Sequence, residues 1–468
     1  MVMRQKYWMV GLMALGAASM LLPVTCANAQ AAPHHLAARE ILAQLVSFRS
    51  AAGQGQLQAT ADYIVATARG GGVAEQDIVR LPLGETSAVL VRINGTDTGR
   101  PPVLFSAHFD VVDARPDDWQ QDPFTLVERD GYLIGRGASD NKTGVTALVS
   151  AILRLRAAAV RPQRSLVFIF IGDEETEQAT TRAVVQHPWV AGAAFAINTD
   201  AGGGMLSPDG RPLIYFIQGA EKTYATFRLT VRNPGGHSTV PRNDNAIYDL
   251  ARALLRVESH QFPVMANALT RSFFAAVGRV EPGPIAASLR HFADDPTDAA
   301  ALAAIRADPE YANGIATTCV ATMAAAGHAE NALPQRAEAM VNCRIFPGTA
   351  VADVQAQLRT AIGNDDVAVD VIGAPEESAV SELTPEVERV ITASVHARDP
   401  GVVIAQMLMP GATDGLVYRR SGIPTFGTGG GFAVPGENFE HGLNERIRTR
   451  AFYAAVDHIH DLAIAFGR

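Results

Sequence analysis

The stretch LVFIFIGDEETEQ, Leu166 to Gln178, passes from an unbroken apolar run into Asp173, Glu174, Glu175 and Glu177. Carboxylates crowded at the end of a buried strand raise one another's pKa and oppose folding, so a positive charge is expected among them. Two other strand-like runs end in similar groups, VLFSAHFD in His108 and Asp110 and AFAINTD in Asp200. Asp140 closes GRGASD ahead of a helix, and His441 lies in FEHGLNE near the other end of the chain. Taken singly, each has an ordinary alternative. His108 and Asp110 read as a polar strand end, Asp140 as an N-cap and Glu174–Glu175 as the solvated first turn of a helix. Asp200 reads equally as a turn residue and His441 as a surface histidine. Held together, the acids need a counter-charge, and one or two divalent cations supply it. Adjacent glutamates then divide the labour: one ligates, and the other takes a proton from water and hands it to a leaving group.

These residues need a frame. Apolar residues recur at helical spacing from about His35 to Arg69, followed by strand-like SAVLVRI and PPVLFSAHFDVV, then DNKTGVTALVSAILRLRAAA as a loop entering a helix. Such alternation predicts an α/β fold with a mainly parallel sheet, in which ligand groups collect beyond the carboxyl ends of the strands. After Gly219 the rhythm changes: KTYATFRLTVRN alternates, NDNAIYDLARALLRVES reads as a helix, and two more alternating strands carry Cys319 and Cys343. A smaller α+β unit inserted in the larger one is expected, with Ala-rich Phe273 to Tyr311 as its elaboration. The expected boundaries are a signal peptide at 1–29, the larger unit at 30–219 and 348–468, and the insert at 220–347. Cys319 and Cys343 face each other if their strands pair, as a disulfide or as two buried thiols.

The segments SAHFDVV, GRGASDNKTG, GDEET, NTDAGG, GGHSTVP and FEHGLNE, in this order from Ser106 to Glu445, resemble the M20 metallopeptidases, a family of glutamate carboxypeptidases, aminoacylases and succinyl-diaminopimelate desuccinylases. The resemblance implies a catalytic domain with two zinc ions, for which cobalt or manganese can substitute, interrupted by a lid or dimerisation domain. It implies that Asp140 bridges the metals, that His108 and Asp200 complete one site, and that Glu175 and His441 complete the other. Glu174 is then the general base, and Asp110 buttresses His108. His237 in GGHSTVP, by itself a turn histidine, takes the place of a residue that stabilises the oxyanion, often from the partner subunit of a homodimer. Arg344 in NCRIFPG matches an arginine that grips a substrate carboxylate, a task suited to its planar fork, and Asn331 a residue that helps to position substrate. Gly411 and Thr413 fall in a loop lining the substrate pocket. The implied substrate is a small peptide, cleaved in carboxypeptidase or dipeptidase fashion, or an N-acyl amino acid. A non-catalytic binding protein on the same fold would be expected to lose Glu174 or a ligand, and none is lost.

Composition narrows the partners. The chain of 468 residues is 48% hydrophobic and 19% charged with a net charge of -9, which argues against disorder and against nucleic acid as a partner. No GxSxG elbow is present, and GTGGGF lacks the lysine of a phosphate loop. Arg4 and Lys6, the apolar run after them and Ala27-Asn28-Ala29 read as a secretory signal cut after Ala29, leaving a secreted or periplasmic chain with no stable membrane anchor.

Overall fold

The computed structural model describes residues 32–437 and 439–468. The expected signal peptide and its cleavage point lie outside the described residues.

The larger unit is built on a ten-stranded mixed sheet. At its centre Leu166–Ile171, Val103–His108, Phe195–Asn198 and Thr425–Gly427 run parallel, side by side. Thr86–Ile93 and Ile78–Leu83 extend one side antiparallel, and Pro212–Glu221 begins the other. The central strands read as continuous apolar runs because both faces are covered. Val103, Phe105, Phe168 and Phe170 join the core on one face, while Leu104, Val167, Ile169 and Ile171 join that on the other. The first face is closed by the helix Lys142–Ala157, flanked by Pro33–Ser47 and Thr449–Phe466. The helical pattern from His35 to Arg69 is two helices, Pro33–Ser47 and Leu57–Gly70.

The smaller unit is a four-stranded antiparallel sheet in the order Thr318–Ala326, Arg336–Ile345, Thr223–Arg232, Val367–Ile372. Alternate residues of Arg336–Ile345 point into a core with Phe227, Leu229 and the apolar faces of helices Ala246–Ser259 and Val351–Ile362. Cys319 and Cys343 are cross-strand partners and are joined by a disulfide.

Two expectations need correction. The insert does not end at 347: Val367–Ile372 pairs with Thr223–Arg232 and the helix before it packs on the same sheet, so the smaller unit runs on to Ile372. Nor do the Ala-rich helices Ala268–Val280, Ile285–Asp294 and Ala299–Ala307 elaborate the insert. Phe274, Val277, Leu289 and Phe292 pack on Ile214 and Ala405, which belong to the parallel pair Pro212–Glu221 and Val403–Met409 of the large sheet. The chain therefore crosses between the two units four times: near Lys222, along 260–267, along 315–317 and after Ile372.

Candidate metal centre and catalytic cleft

Each ligand-type side chain stands at the end of an element whose buried body fixes it. His108 is the last residue of Val103–His108, Asp200 follows Phe195–Asn198, and Glu174 and Glu175 follow Leu166–Ile171. Asp140 precedes the N-cap Asn141, whose side chain accepts from the Gly144 amide at 3.1 Å. Through these elements the carboxyl edge of the sheet and the start of a helix meet at one place, and His441 reaches it from a turn.

The result is two ligand groups that share a residue. His108 Nε2 lies 2.9 Å from Asp140 Oδ1 and 3.2 Å from Asp200 Oδ1. His441 Nε2 lies 3.0 Å from Asp140 Oδ2 and 3.1 Å from Glu175 Oε1. Within each group the ligand atoms all fall within 4.8 Å of one another. His108 Nδ1 is 3.1 Å from the Asp110 carbonyl oxygen and 3.4 Å from its carboxylate, so an N–H there leaves Nε2 free to ligate. Asp110 Oδ2 also accepts from the Glu175 amide at 2.9 Å, which ties the buttress of one group to the backbone of the other.

The electrostatics fit a cation pair. Burial pushes Asp200 up to about 7 against the pull of His108. Burial also opposes ionisation of Asp140, but His108 and His441 outweigh it and hold the carboxyl below its usual range. Hydrogen bonds to Asp140 and Glu175 raise His441 to about 10. Donors of these kinds at these separations suit zinc or a similar divalent ion. Glu174 belongs to neither group. Burial lifts its carboxyl well above the ordinary value, with Asp200, Asp414 and Asp110 adding to the rise and His108 opposing it. Gln178 Nε2 lies 3.3 Å from Glu174 Oε1.

The residues expected to handle substrate are spread more widely. Arg344 Nη1 donates to the Pro410 carbonyl at 3.2 Å, so the guanidinium bridges the small sheet and the loop that holds Gly411. Thr413, expected at the pocket wall, is 1% exposed, and its hydroxyl is taken up by Glu221, Asn198 and Gly415. Its visible part is to fix that loop. His237 and Asn331 are exposed side by side at one end of a short ladder, Gly236–His237 with Ala332–Leu333, where the Ser238 amide donates to the Asn331 carbonyl at 3.0 Å, and join neither ligand group within one chain.

Other residues the sequence did not single out are buried polar partners. Glu221 receives Arg419 Nη1 at 2.7 Å, with both side chains 1% exposed, and holds the Thr413 amide at 2.9 Å. Asp414 accepts from Thr181 behind Glu174, and burial pushes it up to about 8. A third cluster, His34, His35 and Asp457, also has ligand-like spacing. There Arg154 already lies 3.0 Å from the same Asp457 oxygen as His34, so a cation would meet an existing positive charge.

The profile of Peptidase family M20/M25/M40 matches residues 104–465, an interval that holds both ligand groups. The chain belongs to this family. It is accordingly an enzyme of the peptidase and amidohydrolase type. It is 28% identical over 403 residues, 83% of this chain and 79% of the other, to the N-fatty-acyl-amino acid synthase/hydrolase PM20D1 of Homo sapiens. It is 28% identical over 383 residues to the probable carboxypeptidase S-like 2 of Dictyostelium discoideum, covering 79% of this chain and 72% of that one. The M20 family metallo-carboxypeptidase Sso-CP2 of Sulfolobus solfataricus shares the fold at a TM-score of 0.68 and 18% identity, over 92% of this chain and 99% of that one.

Proposed function

We propose that this enzyme hydrolyses the amide bond of N-acyl amino acids, releasing the amino acid. The observation that carries the reading is the pair of ligand groups meeting at Asp140, with the unligated Glu174 beside them. When bound, two zinc ions in these groups would supply Lewis acidity and a more acidic water. Glu174 takes a proton from the attacking water as the oxygen of that water bonds to the carbonyl carbon. The C–N bond then breaks, and Glu174 passes the proton to the departing nitrogen. Arg344 pairs with the carboxylate of the amino-acid half and the loop at Gly411 borders it, while Asn331, beside His237, would help to position the substrate of a second copy. Similarity to an N-fatty-acyl-amino acid hydrolase favours an acyl group on the other side of the bond. Similarity to a probable carboxypeptidase supports a second reading in which a peptide takes that place by the same mechanism.

His237 would serve the oxyanion of a second copy. Support comes from the edge strand Thr318–Ala326 and its neighbouring helix, where Val320 is 63%, Met323 69% and Leu255 63% exposed, a surface suited to a homodimer. Export to a secreted or periplasmic location is supported by the signal-like start and by the Cys319–Cys343 bond. No helix among the described residues is long and apolar enough to cross a membrane.

The test is a panel of N-acyl amino acids and dipeptides incubated with zinc-loaded protein beside Glu174→Gln and Arg344→Ala. Glu174→Gln is expected to keep its metal and lose about 10²- to 10⁴-fold in kcat. Arg344→Ala is expected to raise KM for free carboxylates and leave amidated analogues unchanged. Undiminished turnover by Glu174→Gln would remove Glu174 from the reaction.

A further inference from the structure

Glu445, at the end of the FEHGLNE segment, is fully buried and its carboxylate is saturated by one short stretch of chain. Oε1 accepts from the Ser139 amide at 2.8 Å and the Asp140 amide at 3.0 Å. Oε2 accepts from the Gly137 amide at 3.0 Å and from Arg136 Nη1 at 2.8 Å. The same Arg136 turns its Nη2 toward the carbonyl oxygens of Gly442 at 3.2 Å and His441 at 3.4 Å. The Glu445 carbonyl closes the loop by accepting from the Gly135 amide at 2.9 Å. One buried ion pair therefore grips both the loop that presents Asp140 and the turn that presents His441. His108 and Asp200 are fixed instead by the central strands whose ends they occupy, and their group shares only Asp140 with the gripped loop.

We infer that Glu445 and Arg136 are positioning residues that set the affinity of one metal position, that of Asp140, Glu175 and His441, in preference to the other. This rests on the two-metal reading above. A carboxylate is needed because four N–H donors converge on it. An amide in its place keeps one accepting oxygen and turns an NH2 group toward backbone donors. Loss of partners behind the ligands ordinarily lowers metal affinity about 10- to 100-fold. Here the loss should fall on one step of a two-step titration, since the His108 position keeps two ligands on rigid strands.

The experiment titrates zinc into chelator-treated full-length protein and follows bound metal by elemental analysis, for the wild type, Glu445→Gln and Arg136→Lys, with the circular dichroism of each recorded. Both variants are expected to bind the first zinc as the wild type does and the second about tenfold or more weakly. Activity should return at high zinc with KM unchanged. Arg136→Lys retains a charge but not the two-armed reach, so it reports on the pair even if Glu445→Gln folds poorly. Equal weakening of both steps, or two zinc ions held at wild-type affinity in Arg136→Lys, overturns the inference. A wild type that binds no metal would overturn the two-metal reading itself.

Discussion

Among single residues, Asp110 shows how much of a site lies behind its ligands. Its carbonyl oxygen and carboxylate both face His108 Nδ1, and its other carboxylate oxygen holds the Glu175 amide. Asp110→Asn can turn an amide donor toward that N–H and favour the wrong tautomer of the ring. Zinc affinity at the His108 position is expected to fall about 10- to 100-fold, measured by competition with a chelating dye. Unchanged affinity would show that the carbonyl alone orients the ring. His108, Asp110, Glu174, Glu175 and Asp200 were legible in the sequence because they stood at the ends of apolar runs, where an α/β sheet collects them, whereas Asp140 and His441 were assigned through the family resemblance. Glu445, Arg136 and Glu221 were not, since a buried acid announces itself only through donors from distant parts of the chain. Thr413 was read by its loop, yet whether a hydroxyl faces a pocket or a buried glutamate is decided by packing.

Elements are joined by similar buried contacts, and one of them should respond to pH. His458, on the helix Thr449–Phe466, is fully buried between Ser394 Oγ at 2.9 Å and Thr428 Oγ1 at 2.7 Å. Burial, with Arg398 adding to it, depresses the imidazole to about 3, while Asp461 pulls the other way. In the unfolded chain the ring regains an ordinary value near 6.5, so between about pH 6.5 and pH 3 the unfolded state binds the extra proton. The stability from a neutral His458 is fully present above pH 6.5 and falls as the pH drops toward 3, by up to about 1.4 kcal/mol per unit. His458→Gln is expected to be less stable at neutral pH but to show a shallower acid slope in urea melts between about pH 6.5 and pH 4.5. Parallel slopes for the two proteins would assign the acid sensitivity elsewhere. At this scale the central strands and the N-capped helix were readable as periodic segments. The partner of each amphipathic helix was not: alanine-rich 268–307 declares a buried face but not which sheet it covers, and VAVDVI alternates equally well for either unit.

For the whole molecule, the question is whether His237, which joins neither ligand group, serves the carbonyl bound by a second copy. If a second copy covers the edge strand and supplies this histidine, two inactive variants should complement each other. His237→Ala and Glu174→Gln, each purified and then mixed under conditions that exchange subunits, would form hybrid dimers with one intact and one doubly defective site. Random exchange is expected to restore roughly a quarter of wild-type activity. No recovery, with hybrids demonstrated by mass spectrometry, would place His237 in its own chain's cleft.

The four passages of the chain between the units also bear on engineering. A segment cut at Lys222 and Ile372 would carry away three helices that seal the far side of the large sheet and expose Ile214 and Ala405 to water. Grafting this lid onto another hydrolase, or replacing it with a simpler one, would therefore take two separate splices that leave residues 268–307 in place.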